Sequence, residues 1–250
     1  MSDKIVIIPT YNERDNIVDI IKEVMGLAGE FDVLVIDDGS PDGTSELVKG
    51  IEVLYNGRVH LIERSGKLGL GTAYIAGFKY ALQMGYEFIF EMDADFSHNP
   101  NDLIRLHQAC VNGADLAIGS RYVTGVNVVN WPISRVLMSY YASWYVRRIT
   151  AMTIRDATAG FKCYRAVVLR SIDLDKVRFV GYAFQIEMKF TAWLLGFAII
   201  EVPIIFTDRT KGQSKMSSGI FKEAAFGVIE LKFKSYFSKP KRIAPPAPAS

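Results

Sequence analysis

The sequence contains only two cysteines, Cys110 and Cys163, far apart and outside any CxxC or Cys/His ligand spacing. That excludes a disulfide framework and a cysteine-held zinc site, and both thiols are expected to be reduced and buried. Histidine is scarce as well: His60, His98 and His107 share no metal-ligand spacing, and neither a Ser/His/Asp arrangement nor a nucleophile elbow occurs. His98 is expected to serve a helix start. Charge of one sign is not in excess. With 29 Lys and Arg against 27 Asp and Glu, the formal net charge of +2 gives no global field for nucleic acid, and no nucleic-acid partner is expected. Long apolar runs are missing too. "WPISRVLMSYYASWYVRRITAM" carries Arg135, Arg147 and Arg148, and "FTAWLLGFAIIEVPIIF" is broken by Glu201 and Pro203, so neither offers the roughly 20 apolar residues of a spanning helix. The opening "MSDKIVIIPTYNE" lacks a secretory apolar region, so residence in the cytosol is expected.

The chain has 250 residues, 50% of them hydrophobic and 22% charged, enough to bury a full core. Its first half alternates two periods. Short β-branched runs such as "KIVIIP", "DVLVIDD", "HLI", "EFIFEMD" and "ADLAIGS" read as buried strands. Helical stretches separate them, the first with Ile17, Ile20, Ile21 and Val24 on one face. The alternation predicts an α/β fold with a mainly parallel sheet flanked by helices. Ligands in such sheets collect at the carboxyl ends of the strands, and here those ends read "PTYNE", "DDGSPDGT", "DADFSH" and "GSRY". Residues 1–238 are expected to form one domain, followed by a Pro/Ala-rich disordered tail, 239–250.

Asp93 and Asp95, two apart, point to the same side of an extended chain. Carboxylates that close repel unless a cation intervenes, and a hard divalent metal favours such oxygen ligands. The alternative is that Asp95 or Ser97 caps the helix beginning near Asn99–Asp102. Asp38, at a strand end, is placed to accept hydrogen bonds from a base or ribose. "RSGKLGLGTAY" lacks both the Walker A spacing and the third glycine of the dinucleotide fingerprint, which leaves a backbone turn beside a nucleotide with Lys67 near it. Arg121, Arg209 and Lys215 lie beyond strand ends. Singly each reads as solvated surface; together near an acid pair they suit a diphosphate. The "KGQS" segment reads as a loop able to close over a ligand.

Taken in order, "IIPTYNE", "VIDDGSPDGT", "KLGLGTAY", "MDADFSHNP", "IGSRY", "NWPISRVLMS", "GFKCYR" and "RTKGQSKM" resemble the dolichol-phosphate mannose synthases, within the inverting family-2 glycosyltransferases. The resemblance implies a GT-A fold and transfer of mannose from GDP-mannose to the phosphate of a polyprenol, with Mg²⁺ or Mn²⁺ as cofactor. By position it implies that Pro9, Tyr11, Glu13, Ile36 and Asp38 hold guanosine. Asp93 and Asp95 would serve the metal and diphosphate, Arg121, Arg209 and Lys215 the donor phosphates, and Arg135 and Ser139 the acceptor phosphate. Where Ser97 stands, some members carry a Gln able to join the metal shell. The acceptor phosphate is largely ionised at neutral pH, so direct displacement without a dedicated base is expected. The nearest rival is a polyprenyl-phosphate glucosyltransferase using UDP-glucose; a phosphoacceptor receiver would need only half this length.

Some relatives add membrane-spanning segments or a membrane subunit. Here the stretch Trp131–Met152 and a Lys-rich terminal helix, with Ile220, Phe221, Ala224, Val228 and Ile229 on its apolar side, are read as amphipathic. Two uses are open to them, core packing or peripheral contact with the cytoplasmic face of a membrane.

Overall fold

The computed structural model describes residues 2–209 and 219–237. In chain order the elements are β1 (Lys4–Thr10), α1 (Ile17–Met25), β2 (Asp32–Asp37), α2 (Thr44–Glu52), β3 (Val59–Glu63), α3 (Leu70–Gln83), β4 (Phe88–Glu91), α4 (Asp102–Val111), β5 (Leu116–Ser120), β6 (Val128–Val129), α5 (Ile133–Thr150), β7 (Lys162–Arg165), α6 (Ala166–Arg170), α7 (Tyr182–Leu194), β8 (Ile199–Pro203), β9 (Phe206–Thr207) and α8 (Gly219–Phe237). Seven strands form one sheet in the order β3-β2-β1-β4-β7-β5-β8, and β6 pairs with β9 in a small second sheet.

The expected alternation holds through the first half, and the sheet is parallel wherever a helix returns the chain to the same edge. β7 is the exception. It runs antiparallel between β4 and β5, pairing Glu91 with Lys162 and Ile118 with Lys162. The run "AIIEVPIIFTD", whose apolar pattern by itself reads as one strand, is divided: Pro203 ends β8, and the chain leaves the large sheet to form β9.

Both sheet faces are covered, which is why the central strands read as continuous apolar runs rather than alternating ones. β2 is buried at all six positions. Leu34 and Ile36 point into a layer made with Tyr74 and Phe78 of α3 and Phe184 of α7. Val33 and Val35 point the other way, against Ile17, Ile20 and Ile21 of α1, Val48 of α2 and Leu103 of α4. Close approach fixes the first layer. A Cβ at Gly77 would lie 2.7 Å from Ile7 Cγ2, so α3 can sit on β1 only because the residue there is glycine.

The two helices read as amphipathic behave differently from a core-packing stripe. α5 buries Ser143, Val146 and Thr150, while Ile133, Leu137 and Trp144 face solvent. On α8, Val228 is buried and Phe226, Ile229 and Phe233 are exposed. The α5 stripe is thus turned outward, because its partners in the core are small and polar positions. No helix among the described residues is long and apolar enough to cross a membrane. The expectations for Lys215, the "KGQS" loop and the tail 239–250 lie outside the described residues, as do those for the side chains of Ile220, Phe221 and Ala224.

Candidate active site

β1, β2, β4 and β5 run parallel, so their carboxyl ends meet at one edge, as the ligand rule requires. A cavity of about 420 Å³ opens there. It brings together Asp93 and Asp95 beyond β4, Arg121 beyond β5, Arg135 and Ser139 of α5, and Arg209 beyond β9. Six of the side chains proposed from sequence therefore face one space.

Asp95 is buried and doubly engaged: its carboxylate accepts the Ser97 backbone N–H at 3.1 Å and pairs with Arg209 at 3.0 Å. The capping alternative for Asp95 does not hold, since α4 begins only at Asp102, behind Asn101, and has no side-chain cap. Asp93 beside it keeps 42% of its side chain open to the cavity. Burial in the cleft raises its pKa to about 7, repulsion from Asp95 adds to the rise, and Arg209 opposes it. The open side leaves water on that carboxyl, so the repulsion from Asp95 is the firmer of the two upward causes.

His98 corrects an expectation. It does not cap a helix; its Nδ1 faces the Asp93 backbone N–H at 3.4 Å, and its ring stacks on Phe161 at 4.8 Å. Burial pushes its pKa down to about 4, so at neutral pH it is an uncharged wall of the cavity.

Arg121 is held rather than loose. Asp156 accepts its Nε and Nη2 at 2.7 Å each, a bidentate pair, and Thr158 Oγ1 accepts Nη2 at 2.8 Å. Asp156 is fixed in turn, its backbone N–H donating to Glu201 at 2.8 Å. The fully buried Lys189 ammonium donates to the Ala159 carbonyl at 2.7 Å and stiffens the same loop. Beneath the acid pair lies a second buried set. Lys162 Nζ lies 3.0 Å from Glu91, Gln185 Nε2 donates to Glu91 at 2.7 Å, and Lys162 also donates to Gln185 Oε1. Burial lowers the Lys162 pKa, and Glu91 pulls it back up.

Arg135 stacks on Trp131, 4.1 Å from the ring centroid, and donates to Asp208 at 2.8 Å. Cation–π contact with a desolvated aromatic keeps a guanidinium positioned without neutralising it.

The residues assigned to guanosine stand apart from this cavity, at the ends of β1 and β2. Asp38 is buried against Arg64, whose Nε donates to it at 2.6 Å. Asp37 takes the turn instead, accepting the Thr10 hydroxyl at 2.8 Å and the Ser40 hydroxyl at 2.6 Å. Glu13 accepts Asn16 at 3.0 Å, and Lys67 lies 5.0 Å over the Tyr11 ring. Ile36 is fully buried within the core and paired on both sides, with Pro9 of β1 and Ile62 of β3, so it presents no surface to a ligand; Pro9 is half-buried beside it.

Among the described residues no group of three or more His, Cys, Asp or Glu could enclose a metal. Two carboxylates still suit Mg²⁺ or Mn²⁺, which commonly rest on one or two carboxylates plus substrate phosphates. Ser97 Oγ fits the same use, being buried with no hydrogen-bond partner among the described residues.

Sequence reading missed Asp156, Thr158, Gln185, Lys189 and Glu201. The only available signal was "RDATAGFKCYR", where an acid and small residues precede a short strand. Because β7 is antiparallel, the flank before it, not after it, reaches the site edge.

Residues 5–173 match the family model described as Glycosyl transferase family 2. The chain is 49% identical over 226 residues to polyprenol monophosphomannose synthase of Mycolicibacterium smegmatis, covering 90% of this chain and 85% of that one. It is 47% identical over 222 residues to undecaprenyl-phosphate mannosyltransferase of Micrococcus luteus, covering 89% and 90%. These relatives bear out the resemblance read from the motifs. Among solved structures, glucosyl-3-phosphoglycerate synthase from Mycobacterium tuberculosis with Mn²⁺, UDP and glucosyl-3-phosphoglycerate aligns with a TM-score of 0.65 at 16% identity, covering 92% of this chain and 79% of that one. A mannosyltransferase from Pyrobaculum calidifontis, in complex with GDP-mannose and Mn²⁺, aligns with a TM-score of 0.56 at 15% identity, covering 92% and 69%. Such distant likeness speaks for the fold, which is the expected GT-A arrangement of a mostly parallel sheet flanked by helices. An acid pair at the end of β4, fixed arginines across a cavity, and the family model over residues 5–173 lead to one assignment: the chain is a member of glycosyltransferase family 2.

Proposed function

We propose that this transferase, one domain over residues 1–238, moves mannose from GDP-mannose to the phosphate of a polyprenol, inverting the anomeric carbon. It would act peripherally on the cytoplasmic face of a membrane, where such an acceptor is anchored. One observation carries the reading: an acid corner, Asp93 and Asp95, shares one cavity with a guanidinium and a hydroxyl, those of Arg135 and Ser139. The names of the curated relatives support mannose and a polyprenyl phosphate; GDP-mannose is supported by the distant mannosyltransferase neighbour.

Guanosine would lie against Tyr11 and Lys67 at the ends of β1 and β2, with Pro9, Glu13 and Asp38 around it and Ile36 packed beneath. Asp93, Asp95 and Ser97 would hold Mg²⁺ or Mn²⁺. When bound, that ion would supply positive charge to the diphosphate oxygens as the sugar–phosphate bond breaks. Arg209 now sits on Asp95, and a diphosphate would draw the guanidinium to itself and free the carboxylate. Arg121, oriented by Asp156, and Lys215 complete the cationic side. Arg135 and Ser139 would orient the acceptor phosphate for displacement from the opposite face. It is already an anion, so no residue must remove a proton. His98, uncharged and packed on Phe161, is not asked to act as a base.

Purified protein given GDP-mannose, Mg²⁺ and a short polyprenyl phosphate should yield the mannosylated lipid, detected by mass. Asp95→Ala should lower turnover by at least 10³-fold while thermal unfolding stays cooperative. Turnover of UDP-glucose but not GDP-mannose would replace the donor, and a fully active Asp95→Ala would remove the metal assignment.

A further inference from the structure

α5 carries a second, smaller cavity of about 210 Å³ on its other side. Tyr140, Trp144 and Arg147 follow at i, i+4 and i+7, so they share one helix face. Met138, Ala142 and Tyr145, which line the large cavity, repeat the same spacing two residues out of phase. Two residues are about 200° of helix turn, so the two cavities lie on opposing faces of α5. The small one is closed by Tyr122 and Arg155.

Its chemistry is one-sided. Two guanidinium groups border it, neither of which can lose its charge, and no carboxylate lines it. Arg155 Nη1 donates to the Val123 carbonyl at 2.8 Å, and among the described residues no hydrogen bond occupies the rest of its fork. Arg147 Nε is buried and has no acceptor among the described residues. A buried charged donor without an acceptor is costly, and two like charges at one small cavity add repulsion. One oxyanion relieves both, and the aromatic walls would hold the guanidinium planes toward it. Beside this cavity runs the exposed apolar stripe of Ile133, Leu137 and Trp144.

We infer that Arg147 and Arg155 form a phosphate-binding site separate from the transferase cavity, able to take either a phospholipid headgroup or free phosphate. The adjoining apolar stripe suits the first source, since acyl chains would lie where those side chains are exposed. The inference does not depend on the proposed donor or acceptor.

The direct test follows the Arg147 Nε–H resonance, assigned by its loss in Arg147→Gln, while inorganic phosphate replaces chloride at constant ionic strength. Saturable movement of that resonance is expected, with at least a tenfold weaker effect on the Arg155 signal in Arg147→Lys, which keeps the charge but not the fork. A parallel arm measures binding to vesicles of phosphatidylcholine with and without phosphatidylglycerol. If Arg147→Gln/Arg155→Gln loses at least tenfold in binding to the phosphatidylglycerol vesicles, the headgroup is the ligand. If the resonance moves and vesicle binding of this double variant equals that of the wild type, free phosphate is the ligand. A resonance that does not move with phosphate, together with unchanged vesicle binding, overturns the inference. Mannosyl transfer to a short soluble acceptor in detergent should be equal in the wild type and the double variant in every case, so failure here leaves the transferase reading standing.

Discussion

Arg209 reaches Asp95 while its chain neighbour Asp208 takes Arg135, so two ion pairs of opposite sense stand side by side at the cavity wall. Burial and repulsion from Asp95, opposed by Arg209, hold the pKa of Asp93 near 7 rather than in the carboxylate range. A proton and a divalent cation then compete for one site. Below about pH 7 the carboxyl binds a proton that the metal must displace, so apparent affinity falls as pH falls and levels off above pH 7. Manganese titration followed by electron paramagnetic resonance should show about a tenfold weaker dissociation constant at pH 6 than at pH 7.5. An unchanged constant would remove Asp93 from the ligand set. A single Asp93→Asn should flatten the same profile. That the two acids share one side was legible from their spacing, because a period of two is a local property of an extended chain; the choice between cation and cap was not. The partners that orient Arg121 were not, because Asp156 lies 35 residues further on and nothing local links the two.

At the scale of elements, β7 decides what surrounds the acids. Its reversal places Lys162 opposite Glu91, both fully buried, with Gln185 of α7 closing the set. Removing one member strands a charge: Lys162→Met should destabilise the protein by about 3–5 kcal/mol, and adding Glu91→Gln should recover at least half of that. Urea unfolding of both single variants and the double variant gives the coupling; a double loss equal to the sum of the two single losses would mean the pair does not interact. Glycine contact between α3 and β1 makes a second demand. Gly77→Ala should cost about 1–3 kcal/mol through the Ile7 side chain, visible as a shifted urea midpoint at constant slope. Strand and helix positions through α4 were readable because each carries its own hydrophobic period. The direction of β7 was not, since a four-residue strand has no orientation signal. The same limit explains why "AIIEVPIIFTD" read as one strand: only the tertiary switch between sheets divides it.

For the molecule as a whole, exposed apolar side chains gather on α5 and on the described end of α8, two helices that pack on each other. The apolar pattern of α5 was visible in sequence, but its direction was not, because composition cannot distinguish a stripe facing the core from one facing out. Burial of such side chains in a lipid interface contributes about 25 cal/mol per Å² removed from water. Replacing Leu137 and Trp144 by Ser should therefore lower transfer to a polyprenyl phosphate in vesicles at least fivefold and leave transfer to a short soluble acceptor unchanged. Equal loss on both acceptors would point to damage within the cavity instead.

The reversed strand also bears on how the chain can be made. β5 borders only β7 and β8 in the large sheet, both of which are synthesised after it. On a ribosome, β1 to β4 can zip together as they emerge, whereas β5 must wait as an unclaimed edge for more than forty residues, roughly the span from Ser120 to Lys162. Nascent chains arrested shortly before Lys162 should thus be protease-sensitive around β5 and protected once Arg165 has cleared the exit tunnel. The acid corner beyond β4 can thus form early, while the arginine side beyond β5 is assembled late, and a product shortened before Lys162 carries only the first.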